Sequence, residues 1–264
     1  MPKRLVFVCS SILVLALAAA CGGGDTSGLP PAPAGSAAGG AGTFDMSKAT
    51  ATVSGKIAFE GAVPAPAKIQ MSADPFCAQS ATPETSVSEE IKVSDGGLEN
   101  VIVYVKAAPA GLTFATPAEP KVINQKGCHY TPHVFTMMVN QPLEVQNSDM
   151  TLHNIHVWAV TNTPVNIGQA VQGMKNNVKL DKEEIPVPIR CDVHRWMNSF
   201  TGVFSHPFHT VSGGGGSYEL KLPPGTYEIV AWHEKLGMKS QMVVVADNDK
   251  KDLGFSFAAG ATAD

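Results

Sequence analysis

The chain has 264 residues, 44% of them hydrophobic and 16% charged, enough apolar material for one or two buried cores and unlike a chain disordered throughout. A formal net charge of -4, with no run of Lys or Arg beyond the extreme N-terminus, leaves no electrostatic footprint for nucleic acid and excludes it as a partner. Abundant Gly and Pro with few long periodic stretches favour short strands and turns over helices.

Residues 1–21 read as a targeting segment. Lys3 and Arg4 precede an apolar run from Leu5 to Ala20 that ends in small residues before Cys21. The ending Leu-Ala-Ala-Ala-Cys resembles a bacterial lipobox, which implies a mature protein that starts at a lipidated Cys21. Gly22 after the Cys favours the outer membrane; an ordinary signal peptide cleaved nearby, or a retained anchor, is the other reading. Residues 22–50, densest in Gly, Ala, Pro and Ser up to Gly42, read as a flexible linker that holds a folded head away from the membrane.

Residues 51–118 carry a β signal. Val53, Gly55, Ile57 and Phe59 alternate with polar or small residues, and Gly61 to Pro66 ends that strand. Pro75 to Ser94 is polar and turn-rich, with Glu84, Glu89 and Glu90 read as a solvated loop. Val101 to Val105, VIVYV, reads as a buried sandwich strand after the Asp95-Gly96-Gly97 turn. Over 119–210, the runs VINQ, VFTMMV, LEVQN, IHVWAV, IPVPI and TGVF, broken by Pro, Asn, Gly or Asp, predict an antiparallel Greek-key sandwich without a long amphipathic helix. Met137 and Met138 read as packing within it. From 211 to 264, Tyr218, Leu220 and Leu222 alternate up to a Pro-Pro-Gly turn, Tyr227, Ile229 and Ala231 answer them on a returning strand, and MVVVAD supplies another. With SGKIAFEG and GLENVIVYV near the front, these strands resemble the carboxypeptidase regulatory-like (transthyretin-like) sandwich. The fold class expected is all-β: a Greek-key sandwich at 119–210 and a smaller transthyretin-like one from the flanking segments. Either the first is inserted in the second or the two ends extend its sheets.

The chemistry concentrates in CDVHRWM, where Cys191, His194 and Met197 place a thiolate, an imidazole and a thioether in one short loop. A blue-copper site takes two His and one Cys in a trigonal set with a long, weak axial Met. The missing His must come from elsewhere, and PLEVQNSDMTLHNIHVW offers His153 beside Asn154, or His156 three residues on. On a regular strand those two point to opposite faces, so one alone reaches the ion. Zinc is the rival metal, but Met is not among its usual ligands.

An H-N pair after a strand and an Asn-Ser-Asp turn, followed by C-x-x-H-x-x-M, resembles the cupredoxin family, the plastocyanin/amicyanin-like blue copper proteins. The resemblance implies copper held by His153, Cys191, His194 and Met197, with Asn154 bracing the ligand loop. In such a fold the strand ending at Arg190 delivers Cys191 to one pole, and the strand entering at His153 reaches that pole from the other sheet. The edge of His194, with Trp196 near it, is then the expected port for electrons. His129, His133, His206, His209 and His233 read as turn or core-edge residues bonded to backbone, with HPFH as a candidate second metal site.

Cys9 leaves with the targeting segment and Cys21 is taken by lipid, so if Cys191 binds metal, Cys77 and Cys128 remain as a disulfide pair, as an oxidising compartment permits. The implied function is an envelope-tethered electron-transfer protein meeting a redox protein partner in the cell envelope, not an enzyme. A multicopper oxidase needs His residues flanking the Cys, where this chain has Arg190 and Asp192, and a binuclear purple centre needs a second Cys in the loop. The alternatives are copper storage or delivery, or a surface sandwich that binds carbohydrate or protein.

Overall fold

The computed structural model describes residues 42–260; the targeting segment, Cys21 and residues 22–41 of the linker lie outside the described residues. Among the described residues one six-residue α-helix, Pro75–Ser80, and two short 3-10 turns accompany an otherwise all-β architecture. Four sheets enclose two apolar cores.

The first core is built by the two ends of the described chain. Ala51–Glu60 pairs antiparallel with Ser217–Leu222 and parallel with Lys250–Asp252 and Phe255–Ala258. The facing sheet sets Ile102–Val105 between His209–Val211 and Gly225–His233, with Gly237–Val245 at its edge. Because alternate residues of a strand share a face, Val53 and Ile57 from one sheet meet Val103, Ile229 and Ala231 from the other, with Leu220, Leu222 and Phe257 filling the space. The Pro-Pro-Gly turn does not make the expected hairpin: Ser217–Leu222 pairs with Ala51–Glu60, and Gly225–His233 pairs with Ile102–Val105 and Gly237–Val245. The turn carries the chain from one sheet to the other, fixed by the Tyr227 hydroxyl donating to the Pro223 carbonyl at 2.8 Å. Alternation identifies the face that is buried, and both strands do face one core, but it does not identify the hydrogen-bonded neighbour.

The intervening residues form the second sandwich, which is mixed and not antiparallel throughout as expected: Val134–Met138 pairs parallel with Asn198–Phe204, and Lys121–Gln125 parallel with Leu143–Asn147. One sheet runs Val165–Gln169, His153–Val157, Glu184–Arg190, Asn198–Phe204, Val134–Met138; the other runs Lys175–Val178, Leu143–Asn147, Lys121–Gln125, Tyr130–Thr131. Ile123, Leu143 and Val145 face Ile155, Val187, Ile189 and Val203 across an apolar core. Met137 is buried in it and Met138 is buried beside it, so both serve packing. The strand of His153 does not arrive from the other sheet, as expected, but pairs directly with the strand that delivers Cys191, through Ile189 opposite Val157 and Arg190 opposite His156. That pairing joins segments more than thirty residues apart, and hydrophobic pattern alone does not encode it.

A third apolar cluster of Ile102, Tyr104, Val134, Phe204, Val230 and Trp232 joins the two sandwiches. Tyr104 packs on Phe204 with ring centroids 5.1 Å apart, and Phe200 on Trp232 at 5.6 Å. Nearby, His133 is hydrogen-bonded to Glu234, and the carboxylate outweighs burial to raise the pKa of the imidazole. His209 departs from the expected backbone-bonded role: it stacks on Phe204, both ring nitrogens lack a partner, and burial pushes its pKa down to about 3. No third His, Cys, Asp or Glu donor joins His206 and His209 among the described residues.

Over one pole of the second sandwich lies the segment expected to be a solvated loop. Its helix Pro75–Ser80 starts on Asp74, whose carboxylate accepts from the amides of Phe76 and Cys77, with Pro75 in the first turn. A six-residue helix shows no readable periodicity, and only the Asp-Pro signature betrays it. Cys77 and Cys128 form a disulfide across a sequence separation of 51 residues, which fastens the segment to the sandwich. Replacing both by Ser should lower the unfolding free energy in urea by about 4 kcal/mol, the loop-entropy value for a loop of that size. An unchanged midpoint would mean that the bridge does not constrain the unfolded chain.

Candidate metal centre

The Glu184–Arg190 strand ends at the pole and hands Cys191 to a tight loop. The loop is closed by the Met197 amide on the His194 carbonyl at 2.8 Å and the Cys191 amide on the Met197 carbonyl at 3.1 Å. Inside it the His194 amide donates to Cys191 Sγ at 3.3 Å. Asn154 ties this loop to the neighbouring strand, its side-chain oxygen accepting from the Asp192 amide at 2.5 Å and its Nδ2 donating to Asn166 at 2.6 Å. His153, at the start of the paired strand, therefore faces the loop across a short, doubly held gap.

The structure brings His153, Cys191 and His194 together. His153 Nδ1 lies 2.9 Å from His194 Nδ1, Cys191 Sγ lies 3.9 Å from His194 Nδ1, and all three donor atoms lie within 4.8 Å of one another. Met197 is buried in the same core, and its backbone closes the loop. His156 is placed elsewhere: its ring points to the outer face, where Nδ1 meets both carboxylate oxygens of Asp192 at 3.0 and 2.9 Å. The period-two geometry of the strand separates the two histidines.

Two carboxylates complete the centre, and sequence reasoning missed both. His153 Nε2 donates to Asp149 Oδ2 at 2.9 Å, and His194 Nε2 donates to Asp74 Oδ2 at 3.0 Å. Asp149 is itself held by the amides of Gly127 and Cys128, each at 2.8 Å. Those successive residues both have positive φ, 62° and 56°, so their N–H groups converge as an anion-binding nest. Asp74 accepts from Thr151 Oγ1 at 2.8 Å as well as from its helix amides. The available signals were an Asp four residues before His153 in the Asn-Ser-Asp turn, and an Asp-Pro helix start 120 positions before His194.

These contacts set the protonation of the site. Burial raises the pKa of Asp74, but hydrogen bonds from Thr151, the Cys77 amide, His194 and the Phe76 amide overcome it and bring the carboxyl to about 2. Burial likewise opposes the Cys191 thiolate, yet hydrogen bonds from His153 and His194 hold the thiol at about 6. His153 is raised, burial being outweighed by Asp149 and Cys191. With both Nε2 protons given to carboxylates, the two Nδ1 atoms and Cys191 Sγ converge on one point and share protons among themselves in the metal-free protein, and a cation that displaces those protons satisfies all three. Donors bonded at about 2.0–2.3 Å to one ion stand about 3–4 Å apart, so the residues present fit a single metal ion.

One expectation fails. His194 does not present an edge to solvent: it is 2% exposed, capped by Asp74 and by Cys77 Sγ 3.6 Å from its Nε2. Trp196 does lie beside it, with ring centroids 5.0 Å apart at 40° and Nε1 donating to the Cys128 carbonyl at 3.1 Å. The covering segment comes from more than a hundred residues upstream, which the ligand motif has no means of announcing.

No family model and no curated protein matches the chain. Among solved structures it is similar to a copper-containing nitrite reductase from Thermus scotoductus SA-01, at 18% identity and TM-score 0.32, over 38% of this chain and 25% of that one. It is also similar to a purple cupredoxin from Nitrosopumilus maritimus, at 18% identity and TM-score 0.28, over 31% of this chain and 98% of that one. An amicyanin from Paracoccus versutus overlaps at 13% identity and TM-score 0.29, over 38% and 96% of the two chains. The chain thus spans a quarter of the nitrite reductase chain that it matches.

The lowered thiol has a direct test in the metal-free protein. Ultraviolet thiolate absorbance should rise as pH is raised through about 6 and the step should vanish in Cys191→Ser. A step near the ordinary thiol value of about 8.5 would show that the imidazoles do not stabilise the thiolate.

Proposed function

We propose that this chain is a mononuclear type 1 copper protein that carries electrons, with His153, Cys191 and His194 as the trigonal ligands and Met197 as the long axial one. The observation that carries this reading is the convergence of both Nδ1 atoms and Cys191 Sγ on one point, with each Nε2 held by a carboxylate. A thioether in the fourth place suits copper better than zinc, and copper bound there supplies a one-electron couple.

The residues do the rest. Paired strands, the Asn154 tie and the two carboxylates hold the imidazoles in place, which suits a site whose ligands must barely move when its charge changes. Burial argues for a carrier over an enzyme: His153, Cys191, His194 and Met197 are 0%, 2%, 2% and 1% exposed, so no substrate molecule reaches the ion to be bound. It also weighs against delivery, since releasing the metal requires lifting a segment that a disulfide fastens. In this reading the head is anchored by lipid at Cys21 to the bacterial envelope, on the outer membrane, and exchanges electrons with a redox protein there. Palmitate labelling that is lost in Cys21→Ala tests the anchor.

Copper(II) added to a head starting at residue 43 should give an intense thiolate-to-copper visible band and narrow copper hyperfine splitting, both lost in Cys191→Ser. A colourless protein without stoichiometric copper would refute the proposal. Asp149→Asn and Asp74→Asn should each keep the band but weaken copper affinity about 10–100-fold, the usual cost of losing a carboxylate behind a ligand histidine. Competition titration against a chelator of known affinity reads that change.

A further inference from the structure

A centre whose ligands are all buried needs a different contact with its partner than an exposed ligand edge. Resting on the copper reading above, we infer that Trp196 is the electron port, and that the partner engages the cleft this residue lines. Three observations converge on it. The Trp196 ring is tilted against the imidazole of His194, centroids 5.0 Å apart, so the two π systems are in contact. The indole is pinned by Nε1 on the Cys128 carbonyl, at the disulfide that holds the covering segment down. It also lines a cleft of about 270 Å³ between the 67–90 segment and the sandwich, together with Lys68, Glu89, Glu90, His129 and Arg195 among others.

Other routes out of the centre are less direct: Trp158 is exposed, but it packs on His156 and not on His153 or His194. Above His194 stand Asp74 and the disulfide sulfur. Met150, Leu152 and Val193 are exposed in the segments flanking His153 and His194, but they are aliphatic. Trp196 is the half-buried aromatic group that touches a ligand ring and solvent together.

The cleft also indicates the kind of partner. Its charges are mixed: Lys68 and Arg195 share the rim with Glu90, which pairs with Lys235 at 2.7 Å, and with Glu89, which lies near Lys92 and His129. Such a rim offers no strong field of either sign. The partner is therefore a one-electron redox protein that docks through a small, weakly salt-dependent interface. The step is balanced by a single electron: the partner is oxidised as Cu(II) becomes Cu(I), or the reverse, with no bond formed and no proton moved.

The test uses the copper-loaded protein and tris(phenanthroline)cobalt(III) as the one-electron oxidant, followed by stopped-flow recovery of the visible band. Trp196→Leu should slow oxidation several-fold with the EPR spectrum and midpoint potential unchanged, while Trp196→Phe keeps most of the rate. Should Trp196→Leu disturb the spectrum, Ala67→Trp decides, because it narrows the cleft from the opposite wall without touching a ligand and should also slow the reaction. Leu152→Lys should leave the rate as it is. Copper(II) loading should quench a share of the tryptophan fluorescence that Trp196→Phe removes. Slowing by Leu152→Lys with full rates in Trp196→Leu and Ala67→Trp would overturn the port. Absence of the visible band in the unmutated protein would overturn the copper reading and the port with it.

Discussion

The two imidazole–carboxylate hydrogen bonds, His153 to Asp149 and His194 to Asp74, are the interactions on which the pole of the second sandwich depends. Two imidazoles and a thiolate packed into an apolar core carry a desolvation cost that must be offset by hydrogen bonds or by a bound ion. Each carboxylate takes the outward-facing proton of one imidazole and turns its inward nitrogen toward Cys191 and the other ring. Each is in turn saturated by backbone amides, from the nest at Gly127 and Cys128 in one case and from a helix start at Asp74 in the other. The disulfide joins the two supports, since Cys77 follows Asp74 by three residues and Cys128 belongs to the nest. Imidazole orientation, tautomer and covering segment are thus parts of one connected device.

The same device explains why the centre is sealed. A carboxylate can reach His194 Nε2 only by occupying the place where solvent or a partner would otherwise stand. Firm orientation of this imidazole and exposure of its edge are alternatives, and this chain has orientation. The aromatic neighbour in the loop, Trp196, half-buried, packs against the ring of His194.

The other sandwich contributes position rather than chemistry. Its strands come from both ends of the described chain and pair with one another, so they bracket the residues of the second sandwich. The aromatic seam of Tyr104, Phe204, Phe200 and Trp232, with the buried His133 and Glu234 pair beside it, fixes the two cores against each other. Those contacts run behind the sheet that carries His153 and Cys191, which stiffens the sheet at its far face.

By itself the sequence determined the all-β class, most strand positions, and a seven-residue loop whose thiolate, imidazole and thioether donors suit a soft metal, because these follow from local period-two alternation and from side-chain donor chemistry. It also separated His153 from His156, since a strand sends neighbours three apart to opposite faces. Tertiary structure alone decided which strands are hydrogen-bonded, as with Ser217–Leu222 crossing to Ala51–Glu60, and His153–Val157 joining the sheet of Cys191. It alone brought Asp74 and the disulfide over His194 from far upstream. Alternation records which face of a strand avoids water, whereas pairing and capping are contacts between segments distant in the chain, and only the folded backbone brings those segments together.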